Sequence, residues 1–176
     1  VGRWAEVLKR GDYFLCASEQ QKNYYFGVLS AVGKINPATY GQDLIGIVPY
    51  GIYEKPEAIA KSTPVTDRVG KKVKKILWFG GIYPWFDLRN LVKAAAQVNE
   101  ETPVTLTIVG AKNPFNNHPD FIRRYEELES FIASDKKFQD VVHIQDWVNF
   151  DDRADWYLDS DLVVVINKIG DENKLA

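Results

Sequence analysis

The chain has no methionine, one cysteine and two histidines in 176 residues, and each scarcity closes off a chemistry. With Cys16 alone, no disulfide can form within the chain, which suits a reducing compartment. Cys16 lies in the apolar run Tyr13-Phe14-Leu15-Cys16-Ala17, with no basic or histidine residue close by, so it reads as a buried, inert thiol. His118 and His143 are far apart, and neither has a second ligand at a recognisable motif spacing, so no metal site is legible. No serine stands in a nucleophile-elbow context, and no Walker-type phosphate loop or Gly-x-Gly-x-x-Gly fingerprint occurs. There is no signal peptide and no apolar run long enough to cross a membrane. The missing initiator, and an end at Asn173-Lys174-Leu175-Ala176 soon after a strand-like run, lead us to expect a piece of a longer protein.

What is present is the composition of a globular domain: 45% apolar and 26% charged residues. A formal charge of −2 and a pI near 5.7 give no reason to expect nucleic-acid binding. Lys71-Lys72-Val73-Lys74-Lys75 is the one basic cluster. It reads as a solvated linker before a strand, with contact to anionic lipid as the other reading.

Along the chain, Val1 to Arg10 patterns as an amphipathic helix with Trp4, Val7 and Leu8 on one face. Asp12 to Ala17 reads as a short buried strand. Ser18 is set to cap a helix that runs to Val32 and stops at Gly33, with Tyr24, Tyr25, Val28, Leu29 and Val32 as its apolar face. A loop over 34–44 leads to a strand at Ile45 to Val48. From Tyr53 the chain turns polar through Pro56 and Pro64, which marks a domain boundary. We place one unit at 1–52 and a second at 53–176.

The second unit alternates. Strands are expected at 75–79, 104–109, 141–145 and 161–166, and helices at 88–98, 119–133 and 151–158. The runs ILWF, VTLTIV and LVVVI are continuously apolar, the mark of strands buried on both faces. The fold class that follows is α/β, a Rossmann-like parallel sheet flanked by helices.

Ligands of such sheets bind beyond the carboxyl ends of the strands. The residues to weigh are therefore 80–87, 110–118, 146–150 and 167–172. Gly80 and Gly81 allow close backbone approach to a ligand. Asp87, however, is the natural cap of the next helix and competes for its amides. Ligand cradle and structural corner both stay open for this turn. Trp147 or Phe150 could stack on a planar ring while backbone groups at Val148 read its edge, or these aromatics could cap the sheet. Asp171 and Glu172 bring two acids to the same edge, where they could accept hydrogen bonds from sugar hydroxyls.

The segments "DYFLCASEQQKNYYFGVL", "INPATYGQDL", "IVPYGI", "ILWFGGIYPWFD" and "DWVNFDDRADWYLDSDLVVVI", taken in this order, resemble group-1 glycosyltransferases of the two-Rossmann-domain (GT-B) type. The likeness is nearest to bacterial members that build cell-surface polysaccharide or modify secondary metabolites. It implies that 1–52 is the end of an acceptor-binding domain with its hinge. It further implies that 53–176 is most of a nucleotide-sugar-binding domain. Gly80 and Gly81 would face the donor diphosphate, Trp147 and Val148 the nucleobase, and Glu172 with Asp171 the donor sugar and ribose.

The implied activity is transfer of a sugar from a nucleotide-diphosphate sugar to the hydroxyl of a sugar or lipid-linked acceptor. The anomeric configuration would be retained, and no cofactor or bound metal is needed. The implied location is cytoplasmic, with peripheral association at the inner face of a membrane where the acceptor is lipid-linked. Many members carry an arginine and a lysine near the first-strand turn, where this chain has Pro84, Trp85, Phe86 and Asp87. That departure motivates a rival reading, a catalytically degenerate module that binds a nucleotide or a partner. The chain alone is expected not to catalyse transfer.

Overall fold

A computed structural model of the chain describes residues 2–51 and 61–169. They fall into two compact units, one holding 2–51 and the other 61–169. The expected boundary at 52/53 lies outside the described residues.

The first unit is a single strand–helix–strand turn preceded by a helix. Helix α1 is Gly2–Arg10, strand β1 Phe14–Cys16, helix α2 Glu19–Ala31 and strand β2 Ile45–Ile47. The strands pair in parallel, Phe14 opposite Ile45 and Cys16 opposite Ile47. As the sequence signals, Ser18 caps α2 by accepting the Gln21 amide at 3.2 Å, a contact that contributes about 1 kcal/mol. Gly33 takes the chain out at φ +77°. The core is smaller than the pattern promised: among the described residues of this unit, only Leu8, Cys16, Leu29 and Ile45 form its buried cluster. Trp4, Val7, Leu15 and Tyr24 are exposed, because a two-stranded sheet has little area with which to cover apolar side chains. Cys16 is buried, and its Sγ donates to the carbonyls of Ser18 and Gly46.

The second unit contains helix α3 Thr66–Val69, strand β3 Lys74–Phe79, helix α4 Leu88–Asn99 and strand β4 Val104–Val109. Helix α5 Pro119–Ala133, helix α6 Lys136–Val141 and strand β5 Val142–Gln145 follow. A short 3-10 turn at Phe150–Asp152, helix α7 Arg153–Leu158 and strand β6 Leu162–Val163 complete it. All strand pairs are parallel, in the order β5-β4-β3-β6. Counted within this unit, that order is 3-2-1-4, the first half of a doubly wound sheet, with its topological switch point between β3 and β6.

Strand β3 shows why the run ILWF is unbroken. Ile76 and Trp78 pack with Leu91, Val92, Leu106, Leu128 and Ile132 in one cluster. Leu77 and Phe79 join Val65, Val109 and Trp156 in another. Every residue of β4 is buried. Each large side chain so enclosed contributes roughly 1.5–3 kcal/mol.

Three expectations need correction. The strand at 161–166 is only Leu162–Val163 and both residues are exposed, because β6 is the edge of the described sheet and has one strand neighbour. Helix α6 was hidden by the apolar pair Val141-Val142, which reads as a strand start. Asp135 in fact caps a helix there by accepting the Lys137 amide. The polar stretch that reads as linker is, from residue 61 on, held against the second unit. The backbone amide of Lys61 and the Ser62 hydroxyl donate to Asp155 at 2.8 and 2.6 Å. The amides of Val65 and Thr66 donate to Asp159 at 2.7 and 2.8 Å, the Thr66 hydroxyl also donates to it, and Val65 is fully buried.

Lys75, the end of the basic run, is no linker residue either. Its Nζ lies 3.3 Å from Asp159, with side chains only 15% and 3% exposed. Burial pushes the Asp159 carboxyl up. The Thr66 hydroxyl and amide, the Val65 amide and Lys75 outweigh that and leave it below the usual carboxylate value. The Ser62 hydroxyl and the Lys61 amide hold Asp155 down likewise.

A carboxyl held below its unfolded value of 3.8 stabilises the fold above that pH, and this support is lost as pH falls through the folded value. The second unit should therefore lose stability under acid at pH below the unfolded value, in a step that Asp159→Asn diminishes. At neutral pH, Asp159→Ala should cost about 3 kcal/mol, since it removes the ion-pair partner of Lys75 and strands one buried and one part-buried amide. Denaturant melts of both variants across pH measure each effect.

Candidate functional site

The turn after β3 is held from two sides. The Gly80 amide donates to the Val109 carbonyl at 2.9 Å, and Trp78 Nε1 donates to the Gly80 carbonyl at 3.1 Å. Neither Gly80 nor Gly81 has a positive φ; Gly110, in the adjoining turn after β4, does, at +85°. A Cβ on Gly110 would also stand 3.3 Å from the Gly80 carbonyl oxygen, a tight contact added to the positive φ that favours glycine there. Above Gly80 the space is open: a Cβ would meet nothing nearer than Trp78 Nε1 at 3.9 Å. Among the described residues the amides of Gly81, Ile82 and Tyr83 donate to no protein acceptor.

Beyond them the loop is stitched to the chain leaving β6. The Asp87 amide donates to the Ile166 carbonyl at 3.1 Å, and the Lys168 amide donates to the Trp85 carbonyl at 2.7 Å. Phe86 and Asn167 form an antiparallel bridge between these contacts. The stitch lies at the switch point itself, at the carboxyl ends of β3 and β6. Asp87 caps α4 as its position suggested, accepting from the Asn90 amide at 3.3 Å and the Asn90 side chain at 2.7 Å. Phe86 packs edge-on against Trp78, with ring centres 4.8 Å apart.

At the end of β5, Trp147 is 42% exposed and meets Phe115 edge-on, centre to centre 5.8 Å. Phe115 comes from the loop after β4 and is 83% exposed, so two neighbouring strand ends present one aromatic pair. Val148 does otherwise. Its side chain packs against the cluster of Leu77, Val109 and Trp156, which leaves only its backbone for a ligand. The Phe150 ring is covered by the Arg153 guanidinium, 3.3 Å from its centre. Asp171 and Glu172 lie outside the described residues.

The structure thus gathers Gly80 and Gly81 with Gly110, and Trp147 with Phe115. Phe115 was singled out by no sequence signal beyond its place after a strand. Arg89 and Arg124 were also missed. They line a cavity of about 90 Å³ beside Tyr83, Asp87 and Glu127, and helical spacing alone does not show that α4 and α5 bring them together. Among the described residues no group of three His, Cys, Asp or Glu is gathered to hold a metal. No described helix is long and apolar enough to cross a membrane.

This fold recurs in solved structures. A glycosyltransferase from Rickettsia africae ESF-5 superposes with a TM-score of 0.61 at 20% identity, covering 93% of this chain and 40% of its own. A mutant of Staphylococcus aureus TarM, solved in complex with fondaparinux, alpha-GlcNAc-glycerol and UDP, superposes at 0.58 with 12% identity. That match covers 94% of this chain and 28% of TarM. The chain shares its fold with glycosyltransferases. It spans less than half the length of either structure. No protein-family model and no curated protein matches it in sequence.

The tight approach of the two glycine turns gives a direct test. Gly110→Ala should destabilise the second unit by about 1–2 kcal/mol, from its positive φ and its contact with Gly80. It should also shift the backbone amide resonances of Gly80 and Gly81. Denaturant melts and amide NMR of the variant check both outcomes.

Proposed function

We propose that the protein is the donor-binding part, with the end of the acceptor-binding part, of a glycosyltransferase that moves a sugar from a nucleotide-diphosphate sugar to an acceptor hydroxyl. The observation that carries this reading is the turn at Gly80 and Gly81. It offers unpartnered amides beside the switch point of a sheet whose fold glycosyltransferases share. Amides fixed before the ligand arrives stabilise an anion without reorganisation, the means by which a leaving diphosphate is stabilised. Gly80 and Gly81 then face the diphosphate. Trp147, joined by Phe115, stacks on the base while the Val148 backbone reads its edge, and Asp171 and Glu172 take the sugar and ribose hydroxyls.

In this reading residues 1–52 belong to the acceptor domain and 53–176 to the donor domain. The nucleotide sugar enters as substrate, with no cofactor and no bound metal, and the anomeric configuration is retained. Closure of the two domains excludes water and positions the acceptor, so the chain alone does not turn over. Polysaccharide or glycoconjugate synthesis at the cytoplasmic face of a bacterial membrane is the setting we assign. One observation favours the rival, degenerate module: Asp87 already occupies the helix amide at Asn90, in a turn that carries no cation of its own.

Thermal melts of the intact protein with UDP, GDP and dTDP test the reading. The matching nucleotide should raise the melting temperature with dose, by the equivalent of about 2.7 kcal/mol at roughly a hundred times its Kd. No shift with any of the three, in a folded protein, overturns the donor site. Where a nucleotide binds, product analysis with its sugar conjugates separates the transferase from the degenerate module. Glu172→Gln should lower donor affinity and turnover together, and unchanged values remove Glu172 from the site.

A further inference from the structure

The loop that replaces the expected cations is built of rings. Tyr83 and Trp85 lie parallel, their planes 2° apart and centres 4.8 Å apart. Phe121 and Phe86 stand edge-on to Tyr83 at 5.2 and 5.8 Å, and Phe86 stands edge-on to Trp85 at 5.9 Å. The stitch to the chain after β6 runs through the Trp85 carbonyl itself. Tyr83 and Trp85 nevertheless remain 39% and 41% exposed. The two rings cover each other's inner faces, so they offer solvent outer ring faces and edges that are already fixed, and ordering them costs a ligand little.

The cavity beside Tyr83 supplies the polar half. It is lined by Asp87, Arg89, Arg124, Glu127 and Lys168 over a floor of Ile82 and Leu88. Glu127 accepts from Arg123 through one carboxylate oxygen, and the other is left for a donor. The Arg89 guanidinium rests on the Phe131 ring at 5.2 Å. Arg124 is only partly exposed, yet among the described residues it makes no hydrogen bond or ion pair. Its guanidinium donors are left to water or to a ligand.

We propose that the Tyr83–Trp85 pair and this cavity form a carbohydrate subsite that holds one pyranose ring. The ring faces select for a flat patch of C–H bonds, which a hexose with equatorial hydroxyls presents on its axial-hydrogen face. Each hydroxyl both donates and accepts, so it is matched by a lining that carries three cationic groups and two carboxylates. A phosphate would meet Asp87 and Glu127 as well as the cations, and a hydrocarbon would leave Arg124 and the second Glu127 oxygen unsatisfied. The subsite adjoins the free amides, since Tyr83 supplies a ring to one and an amide to the other; testing it without nucleotide keeps its failure distinct from that of the donor site.

The test is NMR of the intact protein with methyl β-D-glucopyranoside, no nucleotide being present. The Trp85 indole N–H resonance, assigned by its loss in Trp85→Phe, should move with dose up to about 50 mM. Saturation transfer should reach the axial hydrogens of the sugar, vanish in Trp85→Ala and persist, weakened, in Trp85→Phe. Arg124→Ala should weaken binding about tenfold while leaving the amide spectrum folded. No movement of the Trp85 resonance and no saturation transfer overturns the proposal. Uridine moving that resonance where the glucoside does not also overturns it, in favour of a nucleobase platform.

Discussion

Strand β3 has to be covered on both faces, and most of the second unit follows from that requirement. Trp78 and Ile76 demand α4 and α5 on one side. Leu77 and Phe79 demand Val65 and Trp156 on the other. The second demand explains why the polar stretch before β3 is bound down: Val65 reaches its core position only because Asp159 holds the Val65 and Thr66 amides. Asp161 adds a bond to the Lys75 amide at 2.8 Å. The charges that secure the fold therefore collect where β3 begins. The end where it stops is left to glycine and aromatic residues.

That division sets the terms for any anion at the carboxyl end. The turn itself carries no cation, and its one charge is the Asp87 carboxylate, which is already hydrogen-bonded to Asn90. What it offers an anion is backbone: three consecutive amides at 81–83, in a segment fixed at one end by Gly80 on Val109 and at the other by the stitch to β6. A row of fixed dipoles needs no flexible side chain to be ordered on binding. Its attraction is shorter in range than that of a lysine or arginine, however, so the nearest full positive charges matter. Arg89, Arg124 and Lys168 stand in the neighbouring cavity, alongside the carboxylates of Asp87 and Glu127.

Much of this architecture was legible in the sequence, for reasons particular to each element. Strand β4 and helix α5 carry unbroken patterns between clear turn signals, and their observed limits are those the pattern gave. Ser18, Gly33 and Asp87 announce helix ends by chemistry that acts locally. What stayed hidden depended on partners distant in the chain. Lys75 looks like one more solvated lysine until Asp159, 84 residues on, is beside it. The edge position of β6 cannot be read from LVVVI, since apolar content is the same whether or not a neighbour covers it. Within the candidate site, the positions of Gly80, Gly81 and Trp147 just after strands were legible. The pairing of Phe115 with Trp147, and of Arg89 with Arg124, required the packing of elements that sequence spacing does not relate.

The run GGIYPWFD then has a physical logic that neither a bare corner nor an ordinary phosphate loop would need. A corner requires Gly110 and the cap at Asp87; it does not require Tyr83 and Trp85 to be stacked and left in water. A phosphate loop requires amides and cations; it does not require a second strap through the Trp85 carbonyl. Exposing two large rings forfeits roughly the 25 cal/mol per Å² that burying their apolar area would return. The Phe86–Asn167 bridge and the contacts of Phe121 then hold those rings in the exposed arrangement. A loop built this way combines free amides before its proline with a fixed, half-exposed ring pair drawn from the residues on either side of it. It is suited to a ligand that is anionic at one end and carries a ring at the other.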